Sequence, residues 1–303
     1  MTNIESNSDN MCCPLCRGDN SELFGKSSSV YAKKPYFLAL CRDCSHVYIS
    51  NLPLETELNQ IYSETYNYTA HLEIADEKKW RIRNTLSELK QFIPKHARII
   101  DVGCMYGFFL EELKRLGYEN LLGIEIGKQA VEKSRKKGFK VFEGTFEKWA
   151  EENPQKPENI PVCIVLSHVI EHIVDVNDYI KKLNTYLKIG DCLVVFVPNI
   201  KSLTARLFGN KWGWSQAPVH IHHFSQTSLS KLFENNGFYV DKAFKRGADS
   251  LFWLLIISSY LGLKSTKNEL SYLQKTAIRI ASFVLKWWYY LGEEELVFVF
   301  RKK

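Results

Sequence analysis

The chain has no long block of one charge, no apolar run long enough to cross a bilayer, and no secretory-type opening. Its 303 residues carry 40 Lys and Arg against 34 Asp and Glu, interspersed throughout, for a net charge of +6. Without a basic block, composition points away from nucleic acid as a partner. The polar stretch Met1 to Asn10 lacks the basic and apolar regions of a signal sequence, so a cytoplasmic protein is expected. The uncharged run Leu251 to Leu263 would make a helix of roughly 20 Å, short of a hydrocarbon core of about 30 Å. A hydrophobic fraction of 45% places the chain in the ordinary globular class, long enough for one large domain and appendages.

The eight cysteines are not spread as a disulfide framework would be. Cys104, Cys163 and Cys192 stand singly in apolar or strand-end surroundings, as reduced core thiols do. The other five crowd the N-terminus, where Cys13-Pro-Leu-Cys16 and Cys41-Arg-Asp-Cys44 form two Cys-x-x-Cys knuckles about two dozen residues apart. Each knuckle sets two thiolates on one side of a tight turn, and two knuckles complete a tetrahedron for a structural zinc. Redox use of either pair is the alternative, although a thioredoxin-like site needs one such pair near a βαβ unit. Cys12 is the extra thiol.

At residues 98–110 an apolar, β-branched run ends at Asp101, passes Gly103, Cys104 and Gly107, and opens into the helical pattern Phe108 to Leu116. A strand, a tight turn and a helix N-terminus bring backbone N–H groups close to a ligand and favour negative charge there. Glu125 closes the next apolar run roughly twenty residues later, a spacing that suits a carboxylate on ribose hydroxyls. From Arg98 onward strands and helices alternate: strands 98–102, 121–125, 140–143, 162–167 and 192–198, with helices 107–117, 128–137, 145–152 and 175–188. That alternation demands a doubly wound, mostly parallel α/β sheet covered by helices on both faces. An amphipathic helix is expected over Lys78 to Phe92.

Asp101-x-Gly103-x-x-x-Gly107 with Glu125 resembles the S-adenosylmethionine (SAM) site of class I methyltransferases, where the usual form has one more glycine in place of Met105. The resemblance covers roughly residues 75–245 and returns at 293–303. It implies a seven-stranded sheet whose last strand, 296–301, pairs antiparallel with 238–244. It also implies cofactor contacts from Asp101, Gly103, Cys104, Gly107, Glu125, Ile126 and Ser167, with Thr145 or Phe146 bordering the adenine. The opening resembles the N-terminal module of many bacterial methyltransferases of cell-surface sugar pathways, in which Tyr66 and Tyr68 would be lid or core residues. The domains expected are a zinc ribbon at 1–55, linker and lid helices at 56–97, the SAM domain at 98–249 and 293–303, and an apolar helical insertion at 250–292.

Strand 162–167 delivers Ser167 and then His168-Val-Ile-Glu171-His172, which would share one face if a helical turn began there. A second group, Pro218-Val-His220-Ile-His222-His223, follows later, so five of eight histidines fall in two clusters. Both resemble signatures of a branch that includes sugar- and polyprenyl-quinol-methylating enzymes. Three roles stand open for His168, Glu171, His172 and His223. One imidazole is a general base for an acceptor hydroxyl; or His168, Glu171 and His172 bind a divalent cation; or the cluster is structural.

The reading is a SAM-dependent methyltransferase acting on a hydroxyl or carbon of a sugar, lipid-linked or quinone-type intermediate. A non-catalytic SAM- or metabolite-binding module with a partner-recruiting ribbon is the alternative. In the insertion, Trp253, Trp287, Trp288, Tyr289 and Tyr290 with Arg279 and Lys286 suit an interfacial element on the inner membrane face, while a substrate lid or a homodimer interface competes.

Overall fold

The structure is a computed structural model that describes residues 12–27, 34–61, 75–156, 159–209, 212–247 and 293–303, the side chains of 59 and 75–81 excepted. Tyr66, Tyr68 and the insertion 250–292 lie outside the described residues.

The N-terminal segment forms β1 (Ser21–Ser27), β2 (Tyr36–Cys41) and β3 (Val47–Ile49), an antiparallel ribbon flanked by the two cysteine knuckles. Two helices follow, α1 (Glu55–Gln60) and α2 (Ala75–Leu89). The second ends three residues before the expected boundary at Phe92. Pro94 lies just beyond and disfavours helical backbone in the residue ahead of it.

The alternating region then unfolds as read: β4 (Arg98–Val102), α3 (Phe108–Arg115), β5 (Leu121–Glu125), α4 (Lys128–Lys136), β6 (Val141–Glu143), α5 (Phe146–Glu152) and β7 (Val162–Ser167). After these come α6 (Val176–Tyr186), β8 (Cys192–Pro198), α7 (Leu203–Phe208), β9 (His222–His223), α8 (Gln226–Asn235), β10 (Phe238–Arg246) and β11 (Glu295–Lys302). Seven strands make one sheet in the order β10-β11-β8-β7-β4-β5-β6, with β11 antiparallel to both of its neighbours. The order reverses at β4, so the carboxyl ends of β4, β5 and β7 border the crevice where such sheets take ligands.

Strands covered on both faces read as unbroken apolar runs rather than alternating ones. Ile100, Val102, Ile164, Leu166 and Val195 point into one layer, and Ile99, Cys163, Val165 and Val194 into the other. The ribbon belongs to the first of these layers, because Cys13, Leu15, Ala39, Cys41, Cys44 and Tyr48 join the same apolar cluster. Polar contacts secure that seam. The Asn177 side chain donates to Leu15 O at 3.0 Å, and Asn236 Nδ2 donates to Asn177 Oδ1 at 3.0 Å. The short β9 extends the ribbon sheet by pairing with β3, Val47 opposite His223 and Tyr48 opposite His222. Beneath it His222 Nε2 lies 2.9 Å from Ile173 O and His222 Nδ1 lies 3.0 Å from His46 Nε2. A carbonyl only accepts, so His222 carries its proton on Nε2 and His46 donates to Nδ1.

Candidate active site

The turn after β4 is shaped by three left-handed residues, Gly103 (φ 72°), Met105 (φ 46°) and Gly107 (φ 73°). Glycine adopts this backbone without penalty, whereas Met105 does so at a cost of about 1 kcal/mol or more. Glu125 stabilises it: its Oε2 accepts the Met105 N–H at 2.9 Å and its Oε1 the Gly127 N–H at 2.7 Å. The Ser134 hydroxyl adds a bond to Met105 O at 2.7 Å. Burial raises the Glu125 carboxyl above its ordinary range, and the backbone N–H groups of Gly127, Met105 and Ile126 pull it partly back. Gly107 precedes α3 as its N-cap, so the helix starts at Phe108, one residue after the expected start.

Asp101 and Cys104 are buried at the same strand end, and Ile126 is exposed beside Glu125. Ser167 is the last residue of β7. Thr145 caps α5 by accepting the Lys148 N–H. Phe146 departs from the expected role at the adenine. It is 1% exposed, and its ring sits among Trp149, Tyr179 and Tyr186, so the side chain belongs to the core.

The expected helical face of His168, Glu171 and His172 does not form. His168 takes φ 56°, which breaks any helix at its first residue, and only a single 3-10 turn, Ile170–His172, follows. The bend sends the two histidines to different partners. His168 Nδ1 lies 3.1 Å from Glu171 Oε1, and its Nε2 lies 2.8 Å from Glu295 Oε1 at the start of β11. Its ring stacks on Trp214, with centroids 5.1 Å apart and planes 6° from parallel. Burial pulls the His168 pKa down, but the bonds to the two carboxylates outweigh it and raise it to about 9.

His172 instead approaches Val219 O through Nδ1 at 3.0 Å, and His220 approaches Trp214 O through Nδ1 at 2.7 Å. Both carbonyls accept, so each Nδ1 carries the proton and each Nε2 is the basic nitrogen. The two rings meet edge to face, 4.7 Å apart. Burial lowers the pKa of both, that of His220 well below the ordinary value, which keeps the pair neutral. Glu171 is fully buried, its backbone carbonyl accepts the Ile221 N–H at 2.8 Å, and its Oε2 has no partner among the described residues. His223 lies on β9, and burial lowers its pKa to about 3.

Donor atoms of Glu171, His172 and His220 lie within 4.8 Å of one another. His168, expected in a cation set, is not among them, because both of its nitrogens face carboxylates. A divalent cation held there would share the Glu171 carboxylate with His168. The four cysteines behave differently. Cys13 Sγ is 3.5 Å from Cys44 Sγ, Cys16 Sγ is 3.5 Å from Cys41 Sγ, and all four sulfurs lie within 4.8 Å of one another. Zinc–sulfur bonds of about 2.3 Å in a tetrahedron separate sulfurs by roughly 3.8 Å, so these thiols fit zinc.

Sequence reasoning passed over Glu295 and Trp214 and left His220 without a role. The one available signal for Glu295 was an acidic run, Glu293-Glu-Glu295, opening a strand that is otherwise apolar.

A doubly wound sheet with this strand order, a glycine turn and a carboxylate closing the next strand defines a class I SAM-dependent methyltransferase. The chain belongs to the family described as "Methyltransferase domain", whose model matches residues 73–243, more than half of its length. It is 26% identical over 159 residues to a mitochondrial ubiquinone biosynthesis O-methyltransferase of Dictyostelium discoideum, a match spanning 46% of this chain and 48% of that one. The chain thus aligns with about half the length of that relative. Among solved structures, mitomycin 7-O-methyltransferase aligns with a TM-score of 0.51 at 13% identity, covering 81% of this chain and 60% of that one. A SAM-dependent methyltransferase from Archaeoglobus fulgidus aligns with a TM-score of 0.47 at 21% identity, covering 73% and 94%.

Proposed function

We propose that the protein transfers the SAM methyl group to a hydroxyl oxygen of a small or lipid-linked acceptor, with His172 or His220 taking the hydroxyl proton. The observation that carries this reading is the pair of neutral imidazoles, half-buried His172 after β7 and buried His220 packed against it, both with Nδ1 committed to a carbonyl. The acceptor oxygen forms a bond to the methyl carbon as the carbon–sulfur bond breaks. The bonding pair returns to sulfur and gives the neutral thioether, S-adenosylhomocysteine. The proton moves to an Nε2 beside Glu171, whose carboxylate stabilises the new cation. The resemblance to an enzyme named for O-methylation supports oxygen as the acceptor atom.

SAM lies in this reading against Asp101, Gly103, Cys104, Gly107 and Ser167, with Glu125 on the ribose hydroxyls and Ile126 and Thr145 toward the adenine. Zinc on Cys13, Cys16, Cys41 and Cys44 is structural, since four protein ligands leave no open position. The segment divisions are those of the sequence: ribbon to 55, linker to 97, SAM domain at 98–249 and 293–303. No helix of the described residues is long and apolar enough to cross a membrane. The aromatic and cationic composition of 250–292 supports a cytoplasmic protein that touches the membrane surface there to reach a lipid-linked acceptor.

His172→Ala and His220→Ala test the chemistry. Labelled SAM is mixed with a small-molecule and lipid extract, and S-adenosylhomocysteine binding is followed by calorimetry. Methyl transfer should fall by roughly 10²- to 10⁴-fold in at least one variant with cofactor affinity retained. Wild-type rates in both variants, or a product methylated on carbon, would overturn the assignment.

A further inference from the structure

We propose that Glu295 is a positioning residue for this reaction: with Glu171 it clamps His168 as a fixed imidazolium, so that His168 is an electrostatic support and not the base. The inference rests on the reading of the site as a methyl-transfer centre and goes beyond it by removing one base candidate and adding a residue from the last strand. Glu295 is 7% exposed and reaches the site from β11, far in sequence from the histidine cluster.

The geometry decides the protonation state. Both ring nitrogens of His168 face carboxylate oxygens, at 3.1 and 2.8 Å. A neutral imidazole has one N–H, so one carboxylate would oppose a lone pair; the imidazolium satisfies both. Trp214 stacked on the same ring favours the cationic form again. Among the described residues, the groups facing His168 are two carboxylates, an indole and, further off, the neutral His172 and His220.

The clamp matters because Glu171 serves two cations in turn. It is completely buried, and its Oε1 lies 3.1 Å from His168 Nδ1. When the substrate proton reaches His172 or His220, a second imidazolium forms within reach of the same carboxylate. If Glu171 were the sole counter-ion of His168, it would have little charge left for that cation. Glu295, 2.8 Å from the other ring nitrogen, shares the His168 charge and leaves Glu171 available.

Full-length, zinc-loaded protein with 15N-labelled histidine tests the clamp directly, using His168→Gln to assign the resonances. At pH 8 both His168 nitrogens should show protonated chemical shifts, and Glu295→Gln should convert one of them to the unprotonated value. A neutral His168 in the wild type would overturn the proposal whatever the activity. Transfer from labelled SAM to the extract should fall roughly ten- to a hundred-fold in Glu295→Gln through kcat, with S-adenosylhomocysteine affinity within about twofold of wild type. The alkaline limb of its pH profile should move to lower pH, and Glu295→Asp should recover part of the loss. If Glu295→Gln fails to fold, the Asp variant carries the same readouts. Unchanged kcat and pH profile in a folded variant would also overturn the proposal. A wild-type protein that transfers no methyl group while its His168 is doubly protonated refutes the methyl-transfer reading instead.

Discussion

Replacing Glu125 by glutamine keeps the volume of the side chain and removes one hydrogen-bond acceptor, and the structure allows the consequence to be worked out. The carboxylate accepts one backbone N–H on each oxygen, from Met105 at 2.9 Å and Gly127 at 2.7 Å, with the residue only 4% exposed. A glutamine amide offers one oxygen and one NH2. Either the Met105 or the Gly127 N–H then meets another donor, and a buried donor left unsatisfied costs about 1–3 kcal/mol. If the Met105 bond is the one lost, the left-handed Met105 also loses its main restraint and the turn relaxes. Expressed in affinity, 1–3 kcal/mol is a roughly 5- to 150-fold weaker complex with S-adenosylhomocysteine. Calorimetric titration of wild type, Glu125→Gln and Glu125→Ala measures this, with thermal melts to separate binding from folding. The Ala variant loses both acceptors and should bind no better than the Gln variant. Because burial raises the Glu125 carboxyl and only its ionised form accepts from both N–H groups, affinity should increase as pH rises out of the ordinary carboxylate range. Wild-type affinity in Glu125→Gln, independent of pH, would refute the claim that this carboxylate organises the turn.

Cys13→Ser should lower bound zinc and loosen the ribbon seam, while Cys12→Ser should keep one equivalent, as elemental analysis of anaerobically purified protein will show. His168, raised from 6.5 to about 9, contributes stability that is fully present below about 6.5 and is lost as pH rises through about 9. Denaturant unfolding of the wild type and His168→Gln at several pH values should therefore converge toward alkaline pH, and parallel curves would contradict the clamp. Gly107→Ala places a Cβ at a φ of 73°, 3.1 Å from Ser134 Oγ and 3.3 Å from Phe139. The backbone penalty alone is about 1–2 kcal/mol, enough to lower the melting temperature by several degrees and to weaken cofactor binding.

The sheet was legible because both signals that specify it are local. Unbroken apolar runs such as Val162 to Leu166 mark strands buried on two faces, and glycines at 107 and 117 bracket α3. The knuckles were equally plain, since two Cys-x-x-Cys pairs carry their geometry in their spacing. The site was legible only where one segment supplies it. The turn at 101–107 and Glu125 could be paired by spacing, but of the partners of His168 only Glu171 is local, while Glu295 and Trp214 come from β11 and from the segment before β9. Nothing in the histidine motif announces that His168 leaves the helical region of backbone space, and this one dihedral angle sends its ring to Glu295 rather than alongside His172. Phe146 was misplaced for the opposite reason: an aromatic after a strand end suits an adenine wall and a core equally, and tertiary packing chose the core.

The two-residue strand β9 ties the ribbon to a part of the chain made much later. His46 and His222 are separated by 176 positions, which at 5–20 residues per second amounts to roughly 10–35 s of synthesis. The four knuckle thiols span only Cys13 to Cys44, so all of them are made early. The segment of β1 to β3 is therefore complete while β3 still shows an open edge, and it waits in that state until His222 and His223 emerge to cover it. A ribosome that stalls between those points holds a ribbon segment with an unpaired strand, the kind of edge that chaperones bind and neighbouring nascent chains cross-pair with.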